Sequence, residues 1–432
     1  MQTEKFARRP GRTANSLALQ AALLGIAIST ASPAAAQSRD VSPRIDDRPR
    51  PEYAAEPIRI GSIEAYPGIE VESEYVDNLF GTETNKTDDI IISVVPSVDL
   101  RDTRSDRSLR LRLLGGVETY TRSNVDERFR GEAVFDGRFG LGTRTRPFIG
   151  AAIIHNTGGS GDRNDFRTIA QPLDRTTMRG NAGIEQEFGP IIATVEGQYR
   201  RTDYGGSYVF DNVTYDADFR DFETYTARGR LTYGASLAQG FYIEGSYNQR
   251  DYMNPGNGNA NLPPNLLEDR SSDGYSVRAG YTRQLTDILQ LDLSAGYLKQ
   301  TYDSAIFAST DGFSFSADLF WAPTQLTNIQ FGARRSIDDT ENPLFSGLLR
   351  TDVNFSVQHE LLRNLILRAQ ASYSVLEYDG VADSDDEYNI SGSARYYVSR
   401  HWSLRLRAEH FNRSGSYELT QNRILFGIGY DF

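Results

Sequence analysis

The last eleven residues, Asn422 to Phe432, constrain the fold more than any other stretch. Ile424, Phe426, Ile428, Tyr430 and Phe432 alternate with Arg423, Gly427, Gly429 and Asp431, and Leu425 alone breaks the polar series. Period-two alternation is the mark of a strand with one apolar and one polar face. It runs to the terminal aromatic residue. At the edge of an open sheet, five large apolar groups on a final strand would invite association with other chains. In a closed barrel the same strand pairs with the first one and turns its apolar face to lipid.

From about Tyr66 onward the chain repeats this unit: an alternating segment, then a turn or loop. Ile69, Val71 and Tyr75 share one face, as do Leu109, Leu111, Leu113 and Val117. Phe148, Gly150, Ala152 and Ile154 are read as the apolar side of a fifth segment, and Leu289 to Tyr297 and Leu404 to Ala408 repeat the pattern later. The reading is an all-β fold, a closed antiparallel transmembrane barrel of about 18 strands, an even number leaving both ends in the periplasm. Sixteen is the alternative, because the segment Ile329–Ala333 is short and Phe241–Tyr247 is less decisive.

Connection lengths alternate as well. Gly189-Pro190, Thr286-Asp287, Arg363-Asn364 and Ser399-Arg400 are tight, whereas 156–175, 202–220, 250–272, 336–350 and 376–386 are longer and polar. Short turns on the side of the termini and long loops on the other is the outer-membrane pattern, which a soluble sandwich has no reason to follow. Aromatic residues near segment ends, among them Tyr199, Tyr204, Tyr247, Tyr252, Tyr297, Tyr302, Tyr378, Trp402 and Phe411, are expected in interfacial girdles.

The other face is densely charged. Arg110, Arg112, Glu132, Arg138, Arg228, Arg230, Arg405, Arg407 and Glu409 are candidate lumen-lining residues. Unpaired ions at that density would be ruinous in a dry core. They suit the aqueous interior of a barrel of about 16–18 strands. The mixture of signs predicts modest ion selectivity, with acidic loops favouring cations or neutral sugars at the mouth. The pairs Arg110 with Arg112 and Arg405 with Arg407 would together offer a positive strip to an anionic polysaccharide.

Ahead of the barrel at 66–432, residues 1–36 read as a secretory leader. Lys5, Arg8, Arg9 and Arg12 precede an apolar run, and Ala34-Ala35-Ala36 offers a cleavage point, so Sec export from a Gram-negative cytoplasm is expected. Residues 37–65, with Pro43, Pro49, Pro51 and Pro57, read as a disordered periplasmic lead-in. The net charge of −12 argues against a nucleic-acid partner, and the absence of cysteine removes thiolate metal sites and a lipid anchor.

Little chemistry is visible. His155, His359, His401 and His410 are scattered, with no serine and acid set beside them for nucleophilic work. The acidic run Asp383 to Glu387 reads as solvated loop charge without a calcium loop's glycine spacing. No catalytic residue, cofactor or metal ligand is assigned.

Pro96 interrupts the second segment and is expected at a bulge. The stretch Tyr75-Val-Asp77-Asn78-Leu-Phe80, followed by Val94-Val-Pro96-Ser-Val98-Asp-Leu100, resembles the opening hairpin of the putative β-barrel porin 2 family. Gly427-x-x-Tyr430-x-Phe432 is similar to the C-terminal assembly signal of outer-membrane proteins, with Leu425 where a polar residue is usual. The resemblance implies an outer-membrane barrel that meets lipid, lipopolysaccharide and the barrel-assembly machinery. A porin-like channel for small solutes or saccharides is the leading reading. An accessory barrel for exopolysaccharide export, with polysaccharide as partner, and a structural or adhesive barrel with a plugged lumen are the alternatives. An enzyme is not expected.

Overall fold

The computed structural model describes residues 44–45, 48–157, 174–210, 213–236, 239–254, 268–338, 347–378, 384–415 and 418–432. A short strand β1 (Ile58–Ile60) leads into β2 (Ile63–Val76), β3 (Asp89–Thr103), β4 (Arg107–Tyr120), β5 (Arg128–Phe139), β6 (Thr145–Thr157), β7 (Asp174–Phe188) and β8 (Ile191–Gly205). A small hairpin, β9 (Ser207–Phe210) and β10 (Val213–Asp216), and a 3-10 turn at Ala217–Arg220 follow. Then come β11 (Phe222–Ser236), β12 (Gln239–Tyr252), β13 (Ser272–Thr286), β14 (Leu289–Tyr302), β15 (Thr310–Thr324) and β16 (Thr327–Asp338). The chain ends with β17 (Leu348–Leu362), β18 (Leu365–Tyr378), β19 (Ser384–Tyr397), β20 (Trp402–Ser414) and β21 (Leu419–Asp431).

Each long strand pairs antiparallel with its sequence neighbour, and β21 returns to β2 through the register Gly68↔Asp431 to Val76↔Arg423. The result is a closed barrel of 18 strands, β2–β8 and β11–β21, so the alternative of 16 falls away. Its strands run 12 to 15 residues, longer than the roughly 9–11 that span a bilayer. The seam is the terminal strand's own alternation at work: Ile428 lies opposite Val71 and Leu404, while Gly427 lies opposite Glu72 and Arg405.

One face of every strand is apolar and exposed, as with Phe129, Val195, Leu231, Phe241, Ile243, Phe313 and Leu406. That surface is what lipid covers. The opposite face holds the buried polar groups, Glu72, Glu185, Glu196, Thr232, Glu244 and Asn389 among them. No helix among the described residues is long and apolar enough to cross a membrane; the strands do the crossing.

Three expectations are corrected. In β6 the outward residues are Ile149 and Ile153, 46% and 44% exposed, while Phe148 is buried on the inward face. Apolar residues occupy both phases there, and pairing of Phe148 with the inward Arg138 decides the face. Pro96 makes no bulge: the register with β4 is the same at Val94↔Val117 and Ser97↔Leu114, so the proline only opens a gap in the ladder on the lipid side. The aromatic girdle is half as full as expected. Tyr247, Tyr297 and Trp402 are exposed outward, but Tyr252, Tyr302, Tyr378 and Phe411 are buried on the inward face.

The lead-in is described at 44–45 and from residue 48, and the first barrel strand begins at Ile63. Gly61, at φ 64°, turns β1 back onto the start of β2. The leader expected over residues 1–36 lies outside the described residues.

Candidate functional site

The inward wall is a mesh of ion pairs, and each candidate lumen residue has a place in it. Arg110 Nε donates to Asp99 at 2.9 Å, and Arg112 Nη2 to Glu132 at 2.7 Å. Arg138 lies 4.0 Å from Glu185, and Arg228 lies 3.9 Å from Glu196. Arg230 sits 3.9 Å from both Glu244 and Asp292, with its guanidinium 3.5 Å from the Tyr242 ring centre. Arg407 pairs with Glu409, whose other oxygen accepts from Asn389 at 2.6 Å. The two arginine pairs considered as a positive strip therefore carry their counter-charges with them.

Glu72 is the hub at the seam. Arg130 reaches it from β5 at 2.8 Å, and Arg405 reaches it from β20 at 3.1 Å while also holding Glu70 at 3.0 Å. Arg130 must cross β4 and β3, and Arg405 must cross β21, close to the wall. Glycines lie under these crossings, because a Cβ on Gly116 would stand 3.1 Å from the Arg130 side chain and one on Gly427 3.2 Å from Glu70. Gly427, expected from the sequence in an assembly signal, thus lies on the lumen face. Tyr430 and Phe432, its companions, form edge contacts with each other at 5.0 Å, and Tyr430 meets Trp402 at 4.8 Å, outside the barrel near the periplasmic rim.

At the outer end, the acidic run expected in a loop lies mostly in β19, with residue 383 outside the described residues. Asp385, fully buried, accepts from Arg413 Nε at 3.0 Å and from the Tyr378 hydroxyl at 2.9 Å. Glu387 lies 3.4 Å from Arg350 and 3.5 Å from Arg413. Strand propensity is poor for Asp and Glu, but ion pairing with inward arginines holds the run in the ladder. On the other side of the barrel, just ahead of β11, Asp221 has its carboxyl pushed up to about 6 by burial and by Asp203 and Asp218.

The four histidines are each committed locally: His155 to Thr176, His359 to Thr327, His401 to the Asp431 carbonyl and His410 to Asn422. None of these partners is a carboxylate.

What occupies the periplasmic mouth was not legible in the sequence. Ile45 is fully buried, and Arg44 lies 5.7 Å from the ring of Phe320, an inward residue of β15. Arg50 donates to the Ile45 carbonyl at 2.7 Å and to Glu360 at 2.9 Å, and Arg48 sits 3.3 Å from the same carboxylate. Arg363 donates to the Pro49 carbonyl at 2.9 Å, and Arg400 pairs with Glu56. The lead-in thus runs as a strap from the inner wall across the turns β17–β18 and β19–β20 to β1.

A closed antiparallel barrel with a lipid-ready outer face and an ion-paired polar interior is the architecture of an outer-membrane porin. The family model for putative beta-barrel porin 2 matches residues 50–430, and the chain belongs to that family. Membership places it among outer-membrane channel barrels and not among enzymes. No curated protein matches the chain. Among solved structures, a BenF-like porin from Pseudomonas fluorescens Pf-5 is similar at 10% identity and TM-score 0.46, covering 85% of this chain and 99% of that one. Pseudomonas aeruginosa OpdL is similar at 12% identity and TM-score 0.44, with coverage of 86% and 99%. The siderophore receptor PiuA from Acinetobacter baumannii gives 12% identity and TM-score 0.40, with coverage of 87% and 82%.

Proposed function

We propose that the protein is a diffusion channel for small polar solutes, saccharides among them, across the outer membrane. The observation that carries this reading is the continuous charged inner wall of a closed 18-strand barrel. Groups such as Arg112, Glu132, Arg405 and Glu72 keep 9–43% of their side chains accessible even while paired. Ions held this way are tolerable only beside water. Because the arginines named above carry carboxylate partners within 4.0 Å, the lumen field is balanced locally and the pore discriminates weakly by charge.

Purified protein reconstituted into liposomes tests this by osmotic swelling. Swelling in arabinose that slows progressively through glucose and maltose to a trisaccharide supports a solute channel. Swelling no faster than in empty liposomes overturns it.

A further inference from the structure

The lipid-facing wall is recessed across β3–β6. Gly115 on β4 and Gly131 on β5 stand opposite each other on the outward face, and a Cβ on Gly115 would meet nothing within 4 Å. On Gly131 it would meet only the Leu114 carbonyl, at 3.9 Å. With Ala133 these glycines floor a groove of about 520 Å³, walled by Pro96 and Leu113 on one side and by Ile153 and His155 on the other. His155 marks the outer end, two residues before β6 stops at Thr157. Its Nδ1 meets the Thr176 hydroxyl at 3.0 Å, which leaves Nε2 for the groove.

The floor of this groove contains a backbone acceptor without its strand donor. At one end of the β3–β4 pair the Thr121 N–H donates to the Ile90 carbonyl at 3.1 Å, and at the other the Arg104 N–H donates to the Arg107 carbonyl at 2.8 Å. Such exchanges recur at every second residue of an antiparallel pair, and that count makes Pro96 and Gly115 an exchanging pair. Proline has no N–H to give. The ladder is accordingly interrupted between Val94↔Val117 and Ser97↔Leu114, and the Gly115 carbonyl lacks its ladder donor. Hydrocarbon holds no water to replace that donor, so the unmet acceptor is costly there. Gly115 has no side chain to cover it, and a molecule lying in the groove can approach the backbone directly.

We infer that the groove holds a hydroxylated acyl chain of an outer-leaflet lipopolysaccharide, whose hydroxyl donates to the Gly115 carbonyl. The recess is continuous with the apolar surface that lipid covers, so a hydrocarbon chain is what fills it. The hydroxyl is what sets this chain apart from an ordinary one, because it satisfies the acceptor that Pro96 leaves open. His155, at the outer end, turns Nε2 toward the headgroup side, where an ester or phosphate oxygen accepts. The site lies on the outside of the barrel and holds whether or not the lumen conducts.

Native mass spectrometry of the detergent-purified barrel tests this with two probes, glucosamine 1-phosphate carrying two 3-hydroxytetradecanoyl chains and the same compound with tetradecanoyl chains. The hydroxylated probe is expected to bind about fivefold more tightly, the worth of one hydrogen bond. Pro96→Ala returns an N–H to the ladder and is expected to abolish that preference. Gly131→Leu fills the floor and is expected to weaken both probes about tenfold. Gly229→Leu is the control: its Cβ position is equally open, but its ladders to Val195 and Gly245 are unbroken, and both probes should bind as to the parent. A heat-modifiable band on electrophoresis confirms that each variant is a folded barrel. Equal binding of the two probes to the parent, a preference that survives Pro96→Ala, or full binding by a folded Gly131→Leu barrel overturns the site. Probe-free dimers of the parent that Gly131→Leu dissociates would assign the groove to a second copy of the chain and overturn it equally.

Discussion

Arg50 and Glu360 lie 310 residues apart in sequence and form a 2.9 Å ion pair at the periplasmic mouth, with side chains 8% and 3% exposed. Glu360 pairs with both Arg48 and Arg50, so it anchors the strap. A buried ion left without its partner is costly. Glu360→Gln is therefore expected to loosen the lead-in, and limited trypsin digestion should cut after Arg44 several-fold faster than in the parent. Equal cleavage rates would show that the strap is held by other contacts. Deleting residues 44–56 is expected to enlarge the single-channel step, since the strap enters the mouth beside Phe320.

Gly280 permits a packed feature halfway down the wall. A Cβ there would stand 2.2 Å from Cζ of Tyr242, the ring that Arg230 covers and whose hydroxyl donates to Asp292 at 2.7 Å. Gly280→Ala is expected to cost about 1–3 kcal/mol through overpacking, read from urea unfolding of the folded band. Gly245→Ala is the comparison, because nothing lies within 4 Å of its added Cβ; it should stay within about 0.5 kcal/mol of the parent.

Asp221 makes the outer loop sensitive to pH. Its folded carboxyl is raised from 3.8 to about 6 by burial first, with Asp203 and Asp218 adding to it and the Tyr204 N–H and Arg201 opposing. A raised acid binds more protons folded than unfolded between the two values, so its contribution is best below about 4 and declines as pH rises to about 6. Amide exchange over Gly206–Phe222 should be better protected at pH 5 than at pH 7.5, after correction for intrinsic rates. Asp221→Asn is expected to flatten that difference by raising protection at pH 7.5. A pH difference that survives in the variant would assign the effect elsewhere.

The terminal residues close the barrel. The Phe432 N–H donates to the Pro67 carbonyl at 3.1 Å and the Asp431 N–H to the His401 carbonyl at 2.8 Å. Removing Tyr430 to Phe432 deletes the Ile69↔Tyr430 pairing and the aromatic contact with Trp402. Outer-membrane levels of the truncated protein are expected to fall strongly, and those of Phe432→Ala partly, by quantitative blotting of membrane fractions. Normal levels of the truncation would contradict a role in assembly.

How far the fold was legible follows from what alternation can and cannot carry. Where one phase is apolar and the other charged, as in β4 and β20, the sequence names the lipid face outright. In β6 both phases are apolar, and only pairing with Arg138 settles that Phe148 turns inward. Tyrosines recur five apart in Tyr199/Tyr204, Tyr247/Tyr252, Tyr297/Tyr302 and Tyr373/Tyr378. An odd separation puts the two rings on opposite faces, so a girdle read from proximity to strand ends counts both when one belongs to the lumen. The lumen residues were legible as a face, but their partners were not, because Arg130 with Glu72 and Arg50 with Glu360 depend on register and on chain paths far apart in sequence.

The central claim is an open aqueous passage through the closed barrel, and stepwise current in a planar bilayer tests it most directly. Purified protein added to one side in KCl is expected to give discrete, lasting steps with an ohmic current–voltage relation and a small reversal potential under a tenfold salt gradient. A correctly folded, heat-modifiable barrel that inserts but carries no current would contradict it.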